Sequence, residues 1–247
     1  MKIVEIENKD LKVNKVDMMC DKCIQDKKGR TIAEPLMKSA HFYIISGASG
    51  SGKTNLLINL LKSNKMTAMF DNVIFVSPSA STIKDSPLEK IADNQKFTEL
   101  NEEVFDLVDE ITEDGIENDS HTLLVLDDVS SQLRTKDNEK PLNQLIKNRR
   151  HKNLSIWIVG HKTTDLSPAL RSNANLIMLF KPKTRIEIET LQSEYMLMPK
   201  KQAEEVMAAA FKDRYDFMII DTSLRRSADF VFYRNFNQLI IEDDEKN

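Results

Sequence analysis

Residues 47–54 read Gly-Ala-Ser-Gly-Ser-Gly-Lys-Thr. This fits G-x-x-x-x-G-K-[ST], a turn that wraps the phosphates of a nucleotide, and each specified position has a task. Gly47 lets the chain leave a strand tightly, while Gly50 and Gly52 keep side chains away so that backbone N–H groups surround a phosphate. Lys53 brings a point charge to the β and γ oxygens, and the Thr54 hydroxyl suits Mg²⁺. Ala48, Ser49 and Ser51 complete the loop, and Asn55 follows on the first helical turn. The chain has six glycines in 247 residues, and three of them fall between positions 47 and 52. Such thrift elsewhere marks this turn as a ligand loop.

Thr122-Leu-Leu-Val-Leu126 followed by Asp127-Asp128 is the second constellation. An apolar run ending in an acid describes a buried parallel strand with its carboxylate at the C-terminal edge, where open α/β sheets bind ligands. Asp127 is placed to hold a Mg²⁺ water or to meet Thr54. Asp128 is placed to orient and deprotonate an attacking water, with a shorter reach than the Glu often found there. A second acid beside the first favours hydrolysis over transfer to a small acceptor. The blander alternative has Asp128 ending the strand or pairing with a base such as Arg134.

These motifs need a strand before and a helix after, and the chain supplies them. Phe42–Ile45 and Thr54–Ser63 flank the loop as strand and helix. Further strands are expected at Val73–Val76, Thr122–Leu126, Leu154–Val159, Leu176–Phe180, Phe217–Ile220 and Phe230–Tyr233. Helices are expected at Glu102–Ile111, with Val104, Leu107, Val108 and Ile111 inward, and at Pro141–Arg149, with Pro141 in the first turn. Two more are expected at Thr184–Tyr195 and Lys200–Phe211. Strands alternating with helices predict an α/β P-loop fold, with a mainly parallel sheet covered by helices on both faces. The economical division is an N-terminal extension over 1–40, with Lys2–Ile6 as an edge strand, one domain over 41–240 with additions from about 181, and an acidic tail over 241–247.

Composition narrows the rest. With 40% hydrophobic and 30% charged residues, wholesale disorder is excluded. The longest aliphatic runs fall far short of the roughly 20 residues of a membrane span, and the charged start is unlike a secretory leader. Cys20 and Cys23 form one C-x-x-C, too little for a disulfide framework or a four-ligand zinc site. The formal charge of −4 conceals segregation: residues 99–119 carry ten acids and no Lys or Arg, so the remainder is net positive. That segment reads as a solvated helix face. Basic clusters occur at Lys147, Arg149, Arg150 and Lys152, and at Lys181, Lys183 and Arg185. Trp157 is expected to be buried beside the fourth strand, and Gly29 and Gly115 to lie in ordinary polar turns.

GASGSGKT, LLVLDD, the stretch Asn148-Arg-Arg-His151 before a strand, and Arg171-Ser-Asn before another occur in that order. Together they resemble the poxvirus-type genome-packaging ATPases of large double-stranded DNA viruses and virophages, within the FtsK/HerA superfamily of DNA-pumping motors. The resemblance covers about Phe42 to Phe180. It implies a RecA-like fold, ATP and Mg²⁺ as ligands, and a homo-oligomeric ring, pentamer or hexamer, with each site between neighbours. An arginine from the adjacent subunit then stabilises transition-state charge. Arg150 is the first choice, Arg149 the runner-up, and Arg171 a further possibility. The family's fourth strand usually ends in a Gln that senses the γ-phosphate; here His161 follows Gly160, and Thr163 is a possible substitute.

The partners so implied are double-stranded DNA, met without regard to sequence, and capsid or portal components, in the host cytoplasm or the virion. DNA contacts are expected from the Ser/Thr-rich loop 77–87 with Lys84, and from the clusters around Lys152 and Lys183. Three rivals share part of this pattern of motifs: a helicase or other DNA translocase, a small-molecule phosphotransferase, and a nucleotide-gated scaffold with little turnover.

Overall fold

The computed structural model describes residues 2–6, 40–63, 66, 68–80, 87–118, 120–222 and 231–242. Cys20 and Cys23, Gly29, Lys84 with most of its loop, and the tail beyond Glu242 fall outside them. The strands are β1 (Lys2–Ile6), β2 (Phe42–Ser46), β3 (Asn72–Val76), β4 (Lys96–Phe97), β5 (Thr122–Asp127), β6 (Leu154–Gly160), β7 (Leu176–Phe180), β8 (Phe217–Asp221), β9 (Val231–Arg234) and β10 (Asn237–Glu242). Among the described residues these ten form one sheet, in the order β1-β10-β9-β8-β7-β2-β6-β5-β3-β4. From β7 to β4 every pair is parallel. From β7 through β8, β9 and β10 to β1 every pair is antiparallel. The mainly parallel sheet is therefore present, with an antiparallel wing that includes the expected edge strand at Lys2–Ile6.

Two apolar layers cover the sheet. On one face α1 (Lys53–Lys62) sets Leu56, Leu57, Leu60 and Leu61 against Tyr43, Ile45, Val125 and Trp157. On the other, α2 (Glu102–Asn118), α3 (Lys136–Asn148) and α6 (Lys200–Ala210) pack against Phe42, Ile44, Leu124 and Ile156. Helices thus lie on both faces, as the apolar strand runs require. Each leucine-sized side chain buried this way contributes about 1.5–3 kcal/mol. Among the described residues no helix is long and apolar enough to cross a membrane.

Some boundaries differ from expectation. α3 begins at Lys136, so Pro141 sits inside it, not in its first turn, and removes one N–H from the helical ladder. α2 runs on to Asn118, and its buried face is Val104, Phe105, Val108, Thr112 and Gly115, with Leu107 and Ile111 only partly covered. Gly115 is no turn residue: a Cβ there would lie 2.8 Å from Ser120 Oγ, where the chain folds back against the helix. The acids of α2 from Glu102 to Glu117 are exposed, and Asp109 takes an ion pair from Lys152 at 3.0 Å. That commits one cation of the basic cluster to the acidic helix. The helix expected over 184–195 divides into α5 (Arg185–Leu191) and a π-helical turn, Gln192–Met196. Trp157 is fully buried on β6, and its indole N–H donates to His41 Nε2 at 2.7 Å.

Polar clamps close both margins of the sheet. At the N-terminal ends of β2, β6 and β7, the buried Arg149 donates to Ala40 O (3.1 Å), Ile146 O (2.6 Å) and Asn175 Oδ1 (3.0 Å). Burial, with Arg150 adding to it, holds the Arg149 guanidinium below its usual pKa. Asn175 Oδ1 also accepts from Phe42 N at 2.9 Å. On the wing, Arg234 meets Asp216 (2.8 Å), Asp213 (2.5 Å) and Glu5 (3.3 Å), and Lys212 reaches Glu5 at 3.5 Å. Arg171, on the short α4 (Pro168–Arg171), makes a two-pronged pair with Glu194 (2.9 and 2.5 Å) and donates to Leu166 O.

Two stability predictions follow from these clamps. Arg149→Ala strands buried acceptors and is expected to cost about 2–4 kcal/mol, a drop in Tm of about 5–10 °C; an unchanged melting curve would refute the clamp. The second concerns acid. Burial pushes the carboxyls of Glu5 and Asp216 upward. The Asn237 hydrogen bond and Arg234 and Lys212 charges at Glu5, and the Asp213 N–H, Arg234 and Asn235 at Asp216, outweigh it and leave both pKa values lowered. Their contribution is therefore complete above the unfolded values of 4.5 and 3.8 and is lost as pH falls through the lower folded values. Protection of the β1 and β10 amides, relative to their intrinsic exchange rates at each pH, should fall on that acid limb in the wild type, and already at neutral pH in Arg234→Ala.

Candidate active site

β2, β5 and β6 end together at one edge of the sheet. Ser46 lies opposite Gly160, and Asp127 opposite Val159. The chain leaves β2 through Gly47, whose N–H donates to Gly160 O at 3.2 Å. A Cβ on Gly47 would stand 2.7 Å from both Phe180 Cβ and Ser51 Oγ, so close packing demands this glycine. Gly50 and Gly52 are required for conformation, with φ of 73° and 109°. The loop closes with Ser51 N donating to Ala48 O, and α1 opens with Leu56 N donating to Gly52 O. Lys53 and Thr54 thus stand on the first turn of α1, Thr54 exposed and Asn55 half-buried.

The Lys53 ammonium reaches back over the loop and donates to Gly47 O (2.6 Å) and Ala48 O (3.2 Å). Burial lowers its pKa, opposed by the carboxylates of Asp128 and Asp127. Asp127 is 4% exposed and accepts from Ser77 Oγ at 3.1 Å. Burial raises its pKa; the Ser77 hydrogen bond and Lys53 pull it down, and Asp128 pushes it further up. Ser77 directly follows β3 at this edge, in the stretch 77–87 that the sequence marks only as a Ser/Thr-rich, DNA-contacting loop. Its position directly after an apolar strand was the available signal.

Asp128 turns away from the strand with φ of 57°, a left-handed conformation that Asp tolerates at a cost on the order of 1 kcal/mol. Its N–H donates to Val159 O at 3.0 Å, and its exposed carboxylate meets His161 Nε2 at 3.1 Å. The base beside Asp128 is therefore His161; Arg134 instead donates to the carbonyls of Thr164 and Leu166. His161 and the buried Thr163 line, with Gly47, Ala48, Ser49, Lys181 and Lys183, a cavity of about 320 Å³ beside the loop. Lys183 and Lys181 thus stand at the edge of the phosphate loop.

Three arginines divide differently. Arg149 is spent on the clamp at the N-terminal edge of the sheet, and Arg171 on Glu194. Arg150, next to Arg149, is exposed. Both Arg149 and Arg150 lie at the opposite edge from the loop, about 13–17 Å away along a five-residue strand, so neither serves the phosphate loop of its own chain.

The arrangement fits a nucleoside triphosphate. The loop carries two left-handed glycines, an ammonium, and in Ser51 Oγ a buried hydroxyl without a hydrogen-bond partner. Among the described residues no group of three or more His, Cys, Asp or Glu could hold a metal ion by itself. Thr54, on the first turn of α1, and Asp127, at the end of β5, both bring side-chain oxygens to this edge.

A model of the poxvirus A32 protein family matches residues 28–246. An uncharacterized protein of Acanthamoeba polyphaga mimivirus is 28% identical over 116 residues, which is 47% of this chain and 40% of that protein. The chain thus matches less than half the length of that relative. Among solved structures, the DNA-packaging ATPase B204 of Sulfolobus turreted icosahedral virus superposes with a TM-score of 0.56 at 17% identity, covering 75% of this chain and 94% of that one. The genome packaging NTPase B204 of Sulfolobus turreted icosahedral virus 2, in complex with ATP-gammaS, gives 0.57 at 17% identity, covering 78% and 97%. At such identity the likeness is one of fold. With its matched span taking in the phosphate loop, the aspartate pair and the antiparallel strands β8 to β10, the chain belongs to the poxvirus A32 protein family.

Proposed function

We propose that the protein is a Mg²⁺-dependent ATPase that works as a homo-oligomeric ring and drives double-stranded DNA into a viral capsid, in the host cytoplasm. The observation that carries the ATPase reading is the convergence of the phosphate loop, Asp127 and Asp128 at one sheet edge. The family supports the coupling to genome packaging, and the B204 proteins, described as packaging ATPases, share the fold.

In this reading the loop N–H groups and Lys53 hold the β and γ phosphates, and Thr54 and Asp127 hold Mg²⁺, which neutralises charge on the phosphate oxygens. Asp127 must be ionised for that, and burial works against ionisation; Ser77 and Lys53 counter only part of it, and a bound cation would supply the rest. Asp128 takes the proton of the attacking water. His161 positions the Asp128 carboxylate and reports the state of the γ-phosphate to the β6 edge. Arg150, exposed and too distant from the phosphate loop of its own chain, reaches the site of the neighbouring subunit. DNA is met through phosphates alone.

ATP turnover, measured with and without double-stranded DNA, is expected in the wild type and to rise with DNA. Lys53→Ala should remove it by at least about a hundredfold; retained hydrolysis would sink the assignment of the loop. Arg150→Ala should leave the melting temperature within about 1–2 °C, since exposed substitutions cost little, yet abolish turnover. Mixed with Lys53→Ala subunits it should recover part of that activity, because each variant supplies what the other lacks. A mixture as dead as its components would count against an arginine acting between subunits.

A further inference from the structure

Tyr215 lies in the turn between α6 and β8. It is 57% exposed, while Phe211 and Phe217 on either side of it are buried. The turn itself is firmly held. Asp213 N donates to Asp216 Oδ2 at 2.7 Å, and Arg234 pairs with both acids. Tyr215 is therefore presented outward by a braced turn. The Arg214 guanidinium carbon lies over its ring, 5.1 Å from the centroid, within the range of a cation–π contact.

The position of the ring gives this exposure a meaning. A Cβ on Gly52 would lie 3.8 Å from Tyr215 Cδ1 and 3.4 Å from Phe180 Cε1. The tyrosine thus stands against the phosphate loop on its β7–β8 side. Asp127 and Asp128 are at the end of β5, on the other side of β2. A nucleotide held in the loop with its γ end toward these carboxylates has its base end toward β7 and β8. That direction leads to Tyr215.

We propose that Tyr215, backed by Arg214, is the platform on which the base of the bound nucleotide stacks. The assignment rests on the reading of residues 47–54 as a nucleotide loop and names the subsite for the other end of the same ligand. A phenol ring and a guanidinium both offer flat faces suited to a nucleobase. Phe180, buried, packs against Gly47 and Gly52 beneath the same stretch of loop. Stacking on one aromatic side chain is worth about a 5- to 100-fold gain in affinity.

The test uses the full chain with Mg²⁺ and two stable ligands, ADP and pyrophosphate, which share the phosphates and differ in the base. Tyr215→Ala is expected to weaken ADP binding by about 5- to 100-fold and to leave pyrophosphate binding as in the wild type. Tyr215→Phe keeps the ring and should bind ADP like the wild type. Equal ADP affinity in Tyr215→Ala and wild type would overturn the proposal. So would an equal loss of ADP and pyrophosphate, which would show that the ring merely shapes the loop. A wild type that binds neither ligand would defeat the nucleotide-loop reading, and the base platform with it.

Discussion

The parallel register of β2, β6 and β5 is the constraint on which the remaining structure depends. It brings Ser46, Gly160 and Asp127 to one edge, and so delivers the loop, His161 and both aspartates to a common place. In a sheet buried on both faces the apolar pattern alone cannot define that register. Ile44 and Ile45 point to opposite layers and are equally buried, so a slip by one residue would exchange one apolar side chain for another. The polar groups at the far margin supply the missing information. Arg149, Asn175 and Ala40, with Ser155 Oγ accepting from His41 N, pair only when the strands start level. The placement of the phosphate loop and aspartates at one end of the strands is thus set by hydrogen bonds at the other.

At the site, burial and charge oppose each other on both partners. Desolvation favours the neutral forms of Lys53 and of Asp127 and outweighs their mutual attraction, leaving the Lys53 pKa lowered and the Asp127 pKa raised. The left-handed turn at Asp128 separates the two neighbouring acids: Asp127 stays in the strand beside Ser77, and Asp128 leans out to His161. One backbone angle thereby gives adjacent carboxylates different surroundings, and so allows them different work.

Much of this was legible in the sequence because its determinants are local. GASGSGKT specifies its own turn, and the apolar runs from Phe42, Val73, Thr122, Leu154 and Leu176 specify strands with nearly their observed ends. The start of α3 was not legible: Lys136-Asp-Asn-Glu-Lys140 has no apolar period, and Pro141 resembled a first-turn proline. β10 escaped because Gln238-Leu-Ile-Ile241 is short and its partners are distant. The division of labour between Arg149 and Arg150 was legible in principle. Leu142, Leu145, Ile146 and Arg149 follow the spacing of a single helix face, which points Arg149 inward and Arg150 out. The pairing of Asp128 with His161, of Asp127 with Ser77, and of Tyr215 with Gly52 depends on strand order, which no local pattern encodes.

The antiparallel wing has a consequence for how the molecule is made. Among the described residues β10 is the one strand that β1 pairs with, from Lys2↔Glu242 to Ile6↔Gln238. During synthesis the first strand therefore emerges long before its template does. At about 5–20 residues per second, it waits ten seconds or more while the nucleotide-binding core collapses beside it. Closing that last ladder is a late, long-range step, and until it happens the outer edge of β10 lies open to any other extended segment. The order of synthesis thus makes the core the first part to mature and the seal on its flank the last.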